Sequence, residues 1–196
     1  MSRRPYARPD ARTREAKAKG YPARSVWKLE EIDRRVKLFS QGQRVLDLGA
    51  APGSWSLYAS ERIGPRGAVL AIDRQPILQA FPETVRVVQG DALTLETAAL
   101  SEHAPYDVVL SDMAPNTSGS RVADQAQSFE LFSRAVDVAR ELGRPGSHFV
   151  GKLFMSGDFE AARAALQLTY AKCVVIRPDG TRTRSTEVFL VGLGKR

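Results

Sequence analysis

Residues 45–55 read VLDLGAAPGSW: an apolar strand, a turn of small residues and the opening of a helix. In doubly wound α/β sheets, ligands bind in the crevice beyond the carboxyl ends of the strands, and small residues let a ligand approach the backbone. The spacing departs from the dinucleotide pattern G-x-G-x-x-G, because Ala51 stands in place of its second glycine. The stretch therefore predicts a ligand site of another kind, formed by Gly49, Ala50, Pro52, Gly53 and Trp55.

Apolar runs alternate with longer amphipathic segments on both sides of this stretch. Val26, Leu29, Ile32 and Val36 recur at helical spacing, with Ser25 as the predicted N-cap. Further helices are predicted over 55–63, 95–103, 124–142 and 158–170. Strands are predicted over 44–48, 68–72, 85–88, 107–111, 147–153, 172–176 and 187–191.

This alternation predicts an α/β fold with a mostly parallel sheet and crossover helices on both faces. The last two of the seven strands are separated only by residues 177–186, which is too short for a crossover helix. They should pair as an antiparallel hairpin about residues 178–180. A Rossmann-like parallel sheet that ends in an antiparallel hairpin is the layout expected of methyltransferases that use S-adenosylmethionine (SAM).

The net charge of +7 is concentrated at the N-terminus of the 196-residue chain. Residues 1–28 hold nine Lys/Arg and two Asp/Glu, and the rest of the chain holds 20 of each. We expect residues 1–22 to be a flexible arm that binds RNA phosphates and residues 23–196 to form one domain. The simpler alternative is a solubilising tail. The predicted RNA-binding residues are Arg3, Arg4, Arg8, Arg12, Arg14, Lys17, Lys19 and Arg24.

The composition also bounds the compartment and the cofactors. Cys173 is the single cysteine and cannot form an internal disulfide, and only His103 and His148 are available as histidine ligands. These counts predict a reducing compartment and no metal. The sequence shows neither a signal peptide nor a run approaching the roughly 20 apolar residues of a membrane span. A monomeric protein of the cytoplasm, without a membrane partner, is expected.

Three carboxylates follow successive strands, and they point to the identity of the ligand. Asp47 precedes the small-residue turn and suits the cationic amino acid portion of SAM better than a pyrophosphate. Asp73 is placed to accept hydrogen bonds from both ribose hydroxyls of a nucleoside. Asp91 is placed to accept a hydrogen bond from the amino group of its adenine. Each alone is more often a cap or turn residue. Together they favour SAM over a nicotinamide or another nucleotide.

Four further polar residues fit a packed core poorly. Lys152 stands in a largely apolar strand, and lysine is almost never fully buried without a partner. Asp112 ends the strand that should face the transferred methyl group, and Glu187 opens a strand that could face Lys152 across the sheet. Lys28 lies on the first predicted helix. The simpler alternatives are a solvated lysine, a turn carboxylate and an edge glutamate.

With these residues placed, the chain resembles the FtsJ/RrmJ (RlmE) family of ribose 2′-O-methyltransferases over nearly its whole length. The tetrad Lys28, Asp112, Lys152 and Glu187 looks like the catalytic Lys-Asp-Lys-Glu set of that family. The other matching motifs are residues 23–25, residues 47–56, residues 111–116 and the stretches 177–179 and 184–187. Ser54 departs from the glycine expected there in bacterial members.

The resemblance implies methylation of a uridine ribose in 23S rRNA, on the assembled 50S subunit, with Asp112 also near the cofactor. Because relatives also modify tRNA anticodon loops, tRNA remains an alternative substrate. For the chemistry, Lys152 is the candidate proton acceptor, positioned by Asp112 and Glu187, while Lys28 holds the hydroxyl or a phosphate. Alternatively, Lys152 stays charged and stabilises the developing alkoxide.

Two rival functions remain open at this point. An amino-directed base methyltransferase would be expected to show Asn/Asp-Pro-Pro-Tyr near residue 112, where this chain has Asp-Met-Ala-Pro. A cytosine-C5 enzyme would need a cysteine at the site, and Cys173 lies in a strand far from the cofactor turn. A noncatalytic RNA-binding or ribosome-assembly factor on the same fold is the second rival, and the intact tetrad argues against it.

Overall fold

A computed structural model of the protein describes residues 10–116, 118–179, 181 and 185–196. The strands are β1 Arg44–Leu48, β2 Ala68–Asp73, β3 Val85–Gln89, β4 Tyr106–Ser111, β5 Gly143–Phe154, β6 Tyr170–Ile176 and β7 Glu187–Lys195. The helices are α1 Ala11–Ala18, α2 Val26–Val36, α3 Ser54–Ile63, α4 Thr97–Leu100, α5 Arg121–Leu142 and α6 Phe159–Thr169.

All seven strands form one sheet in the order β3-β2-β1-β4-β5-β7-β6. Neighbouring strands among β1 to β5 run parallel, whereas β7 is antiparallel to both β5 and β6. The predicted fold class and the C-terminal hairpin are confirmed. The strand order turns between β1 and β4, so the crevice beyond their carboxyl ends is where a ligand is expected.

Side-chain alternation along the strands divides the core between the two faces of the sheet. One face packs against α5 and α6 through residues such as Leu46, Phe132, Phe149 and Leu166. The other packs against α2 and α3 through residues such as Leu29, Val45, Ala59 and Phe189. Helices therefore cover both faces, as predicted. Among the described residues, no helix combines the length and apolar character needed to cross a bilayer.

The structure differs from the predicted helices in three main respects. Helix α5 begins at Arg121, three residues earlier than predicted, after the N-cap Ser120. The sequence predicts a helix over 95–103, but α4 spans only Thr97–Leu100, because the Leu95 amide donates to the Asp91 carbonyl in the turn after β3. Ser25 makes no side-chain capping hydrogen bond, since its own backbone is already helical at φ −59° and ψ −23°.

Helix α1 lies inside the segment that the sequence predicts to be a flexible arm. Asp10 caps it by accepting from the Thr13 amide at 2.8 Å, and Ala16 is completely buried against the domain. The Trp27 indole N–H also donates to the Arg12 carbonyl at 3.0 Å. Residues 10–20 therefore pack against the domain, through the buried Ala16 side chain and the hydrogen bond from Trp27 of α2 to the Arg12 carbonyl.

The fold makes a testable prediction about β7. A Cβ added at Gly192 would collide with the ring of Tyr170, whereas one added at Gly157 would meet nothing within 4 Å. We expect Gly192→Ala to lower the free energy of unfolding by about 1–3 kcal/mol, as overpacked cores do. Gly157→Ala is the matched control and should change it by less than about 0.5 kcal/mol. Equal unfolding curves in urea for the two variants would contradict this packing.

Candidate active site

A cavity of about 600 Å³ opens at the carboxyl ends of β1 to β4, where the strand order turns. Its lining includes five of the residues predicted from the sequence to bind a cofactor: Gly49, Pro52, Asp73, Asp91 and Asp112. Lining residues missed by the sequence reasoning include Pro22, Gln75, Leu78, Met113, Gln127 and Leu131. Gln75 and Met113 lie within three residues of a predicted strand end and could have been found there. The residues from α5 and from the segment before α2 carry no sequence signal.

The turn after β1 brings bare backbone to the cavity. Gly49 has φ +78°, and a Cβ there would lie 2.9 Å from the backbone N of Met113. The amides of Gly49 and Ala50 both donate to the Ile72 carbonyl, and the Asp112 amide donates to the Leu48 carbonyl. The turn is therefore locked between β2 and β4, and a side chain at position 49 would not fit.

Two carboxylates stand at the ends of β2 and β3. Asp73 accepts from the Ala51 amide through Oδ2 at 2.9 Å and from the Gln75 amide through Oδ1 at 2.8 Å. Asp91 accepts from the Leu93 amide at 3.0 Å. An ionised carboxylate has about four acceptor positions, so both groups can accept further hydrogen bonds from a ligand while they hold their loops.

Four residues predicted to contact the cofactor lie behind the cavity wall: Asp47, Ala50, Gly53 and Trp55. Alternation along β1 directs Asp47 toward α3, where its Oδ2 accepts from the Ser56 hydroxyl at 2.6 Å. Trp55 is buried on the same face, 5.6 Å from the Phe189 ring. These four residues shape the turn or pack beneath it, and their contact with a cofactor stays a prediction.

The buried position of Asp47 changes its acidity. Desolvation raises the pKa of its carboxyl to about 7, although the hydrogen bond from Ser56 opposes that rise. The carboxylates of Asp112 and Asp73 also contribute to that rise. Its Oδ1 atom has no hydrogen-bond partner. A cation placed among these three carboxylates would favour their charged forms, so the site is electrostatically suited to a positively charged ligand.

Lys152 and Asp112 form one pair at the edge of the cavity. Lys152 is only 7 % exposed, and its Nζ donates to Asp112 Oδ1 at 2.9 Å and to the Asp112 carbonyl. β5 pairs with β4 in parallel, so the strand that carries Lys152 lies beside the strand that ends at Asp112. The predicted partnership of this lysine is observed.

Lys28 and Glu187 form a second pair, with Nζ 2.5 Å from Oε1. This differs from the expectation that Glu187 would position Lys152. The antiparallel register places Lys152 opposite Phe189 and Glu187 opposite Phe154, so the two charged residues are only diagonal neighbours on one face. Helix α2 covers that face and brings the Lys28 ammonium to Glu187 instead.

The segment before α2 is attached to the start of α3. The Ser54 hydroxyl accepts from the Ala23 amide at 2.8 Å and donates to the Ala23 carbonyl at 3.1 Å. The Trp55 indole N–H donates to the Ser25 carbonyl at 2.9 Å. Serine at position 54, where glycine was expected, thus gives the chain two hydrogen bonds that hold α2 and its Lys28 in place.

Four of the predicted RNA-binding residues lie on α1 or at its C-terminal end, and all four are exposed to solvent: Arg12, Arg14, Lys17 and Lys19. Lys19 lies over the Trp27 ring at 4.7 Å. Arg24 is partly buried and pairs with Asp10. Helix α1 therefore carries exposed basic side chains on more than one side, and Lys19 adjoins the start of α2 at Trp27. Arg3, Arg4 and Arg8 lie outside the described residues.

Cys173 lies on β6, at the far edge of the sheet from β1. Burial raises the pKa of its thiol, which disfavours the nucleophilic thiolate. This position agrees with the sequence argument against a cytosine-C5 enzyme. Within the described ranges, no group of three or more His, Cys, Asp or Glu side chains is arranged to hold a metal ion.

Solved protein structures resemble this fold, and the following two are examples. A ribosomal RNA methyltransferase from Plasmodium falciparum superposes with a TM-score of 0.76 at 20 % identity, covering 89 % of this chain and 98 % of the other. Fibrillarin from Aeropyrum pernix, with natively bound SAM, gives 0.59 at 18 % identity over 79 % and 67 % of the two chains. At these identities the likeness concerns the fold.

Relatives found by sequence comparison have a much higher sequence identity to this chain than these two structures. The proteins named ribosomal RNA large subunit methyltransferase E in Sorangium cellulosum and Syntrophobacter fumaroxidans are 64 % and 49 % identical to this chain. The first alignment covers 98 % of this chain and 91 % of the relative, and the second covers 92 % and 93 %. Residues 21–195 match the family described as FtsJ-like methyltransferase. The resemblance in the sequence motifs is thereby confirmed: the chain belongs to the FtsJ-like methyltransferase family.

Proposed function

We propose that this methyltransferase transfers a methyl group from SAM to the 2′-hydroxyl of a uridine ribose in 23S rRNA on the assembled 50S subunit. The observation that carries the proposal is the position of Asp112. Its side chain lines the cavity and also accepts from the buried Lys152 ammonium. A ligand in the cavity and a proton-transfer group thus meet at one residue, with the pair Lys28 and Glu187 on the same face of the sheet.

The residues present fit SAM. The volume of about 600 Å³ lies within the roughly 300–1,000 Å³ of small-molecule sites. Asp73 and Asp91 would take the ribose hydroxyls and the adenine amino group, and Gly49 and Pro52 also line the cavity. The carboxylates of Asp47 and Asp112 would attract the positive charge of SAM. When bound, SAM would supply an electrophilic methyl group.

The residues of this chain would align the acceptor oxygen with the methyl group and assist the loss of its proton. An ammonium has three N–H donors, and Lys152 directs two of them to Asp112. One donor remains for the acceptor oxygen. This arrangement supports a permanent cation that stabilises the developing alkoxide, with the proton leaving to Asp112 or water. Proton transfer to Lys152 is the alternative, which needs the lysine to be neutral.

The names of the relatives support ribosomal RNA as the substrate, and the exposed basic side chains of α1 support a polyanion as the partner. We infer a cytoplasmic monomer, consistent with a ribosomal target. Tritiated SAM should label 50S subunits and leave tRNA unlabelled, and the labelled nucleotide should resist alkaline cleavage, as 2′-O-methylated RNA does. Label on a base, or on tRNA alone, would contradict the proposal.

The first functional prediction concerns cofactor affinity. Asp73→Asn and Asp91→Ala each remove ligand acceptors, so the Kd for SAM should rise by about tenfold, the effect of losing one charged hydrogen bond. RNA affinity should remain. Asp137→Asn changes an exposed carboxylate of α5 and serves as the control. Calorimetry that shows unchanged SAM affinity for both site variants would remove the assignment of the cavity.

The second prediction concerns Lys152. Lys152→Met should bind SAM normally and lower the single-turnover rate by roughly 100- to 10,000-fold. Lys152→Arg should keep appreciable activity if a cation suffices, because arginine keeps the charge but cannot act as a base. If the lysine accepts the proton, the arginine variant should be inactive and the wild-type rate should rise with pH to a plateau. Lys172→Met, on an exposed strand position, is the control, and full activity in Lys152→Met would refute both versions.

The third prediction concerns α1. Arg12→Gln with Lys17→Gln should weaken RNA binding and make the dependence of log K on log salt shallower by about 0.7–0.9 for each phosphate that is no longer neutralised. SAM affinity should not change. Arg140→Gln with Arg163→Gln removes the same charge from α5 and α6 on the opposite face. An equal change in slope for both pairs would show that α1 contributes only net charge.

A further inference from the structure

Helix α5 forms one wall of the cavity. Gln127 and Leu131 line the cavity, and Arg134 follows three residues later. Residues three and four apart share a face of a helix, so Arg134 continues the face that lines the cavity. Its side chain, however, is engaged with the turn after β3.

The Arg134 guanidinium binds two backbone carbonyls of that turn. Nε donates to the Ala92 carbonyl at 2.9 Å, and a terminal nitrogen donates to the Leu95 carbonyl at 2.9 Å. Ala92 is buried, and a buried carbonyl without a partner is costly. The planar fork of arginine can serve both carbonyls at once, which the single ammonium of lysine cannot do as well.

This turn supplies the part of the cavity where the base of SAM would lie. Gly90, Asp91, Ala92 and Leu93 all line the cavity. The turn is closed by the Asp91 carbonyl, which accepts from the amides of Thr94 and Leu95 at 3.0 and 2.8 Å. Arg134 is thus the link between this turn and the wall formed by α5.

We propose that Arg134 is a positioning residue for the nucleobase end of the cofactor site. It holds the turn of residues 90–95 at a fixed distance from Gln127 and Leu131, and so preforms the slot for the adenine before binding. Because both hydrogen bonds go to backbone carbonyls, Arg134 acts through the turn. This inference rests on the proposed use of SAM.

The test compares Arg134→Met and Arg134→Lys with Arg140→Met, which alters an exposed arginine of the same helix. Calorimetry is done with SAM and with 5′-methylthioadenosine, which shares the adenosine end and lacks the amino acid. Arg134→Met should raise the Kd of both ligands equally, by about tenfold. Arg134→Lys should lie between it and the wild type, and Arg140→Met should match the wild type.

Turnover separates this role from a general loss of structure. At saturating SAM, the rate for Arg134→Met should stay within about twofold of the wild type, because the tetrad is untouched. Unchanged Kd values in a folded variant would overturn the inference, and so would a loss confined to SAM with normal 5′-methylthioadenosine binding. If the methionine variant fails to fold, Arg134→Lys decides by the same criteria. A wild-type protein that binds no SAM would instead refute the proposed function, independently of the variants.

Discussion

The buried contact between Lys152 and Asp112 constrains the centre of this protein. An ammonium that is almost excluded from water must be paired and hydrogen-bonded, and here both acceptors belong to one residue. That requirement fixes the end of β4 against β5. Since the Asp112 amide also donates to the Leu48 carbonyl, the same residue joins β4 to β1. The cavity and the lysine are thereby held at a constant separation.

The contact between Lys28 and Glu187 depends on the position of α2 relative to the sheet. Lys28 lies on helix α2 and Glu187 on strand β7, so strand pairing alone does not bring the two residues together. Ser54 and Trp55, at the first turn of α3, hold the chain just before α2, and the apolar side of α2 packs on the sheet. Lys28 consequently meets Glu187, and the four charged residues become two neighbouring ion pairs on one face.

The cavity itself is formed largely by loops whose backbone groups are satisfied within the protein. Asp73 and Asp91 hold the turns that follow their own strands, and Arg134 ties one of these turns to α5. Such a site can be rigid before a ligand arrives, which reduces the ordering cost of binding. Asp47 is buried behind the turn, and a cation in the cavity would favour the ionised form of its carboxyl.

The sequence alone determined the strands and the fold class, because short apolar runs and small-residue turns are local signals. The four candidate catalytic residues were named from polar positions that fit a core poorly and from the family resemblance, and their roles stay a prediction. It also found five cavity residues, since strand ends meet at one edge of a parallel sheet. Only the tertiary structure decided that Trp55 and Asp47 lie behind the wall, that Glu187 pairs with Lys28, and that α1 is docked. Each of these depends on strand register or on helix packing between distant segments, which pattern and spacing along the chain do not encode.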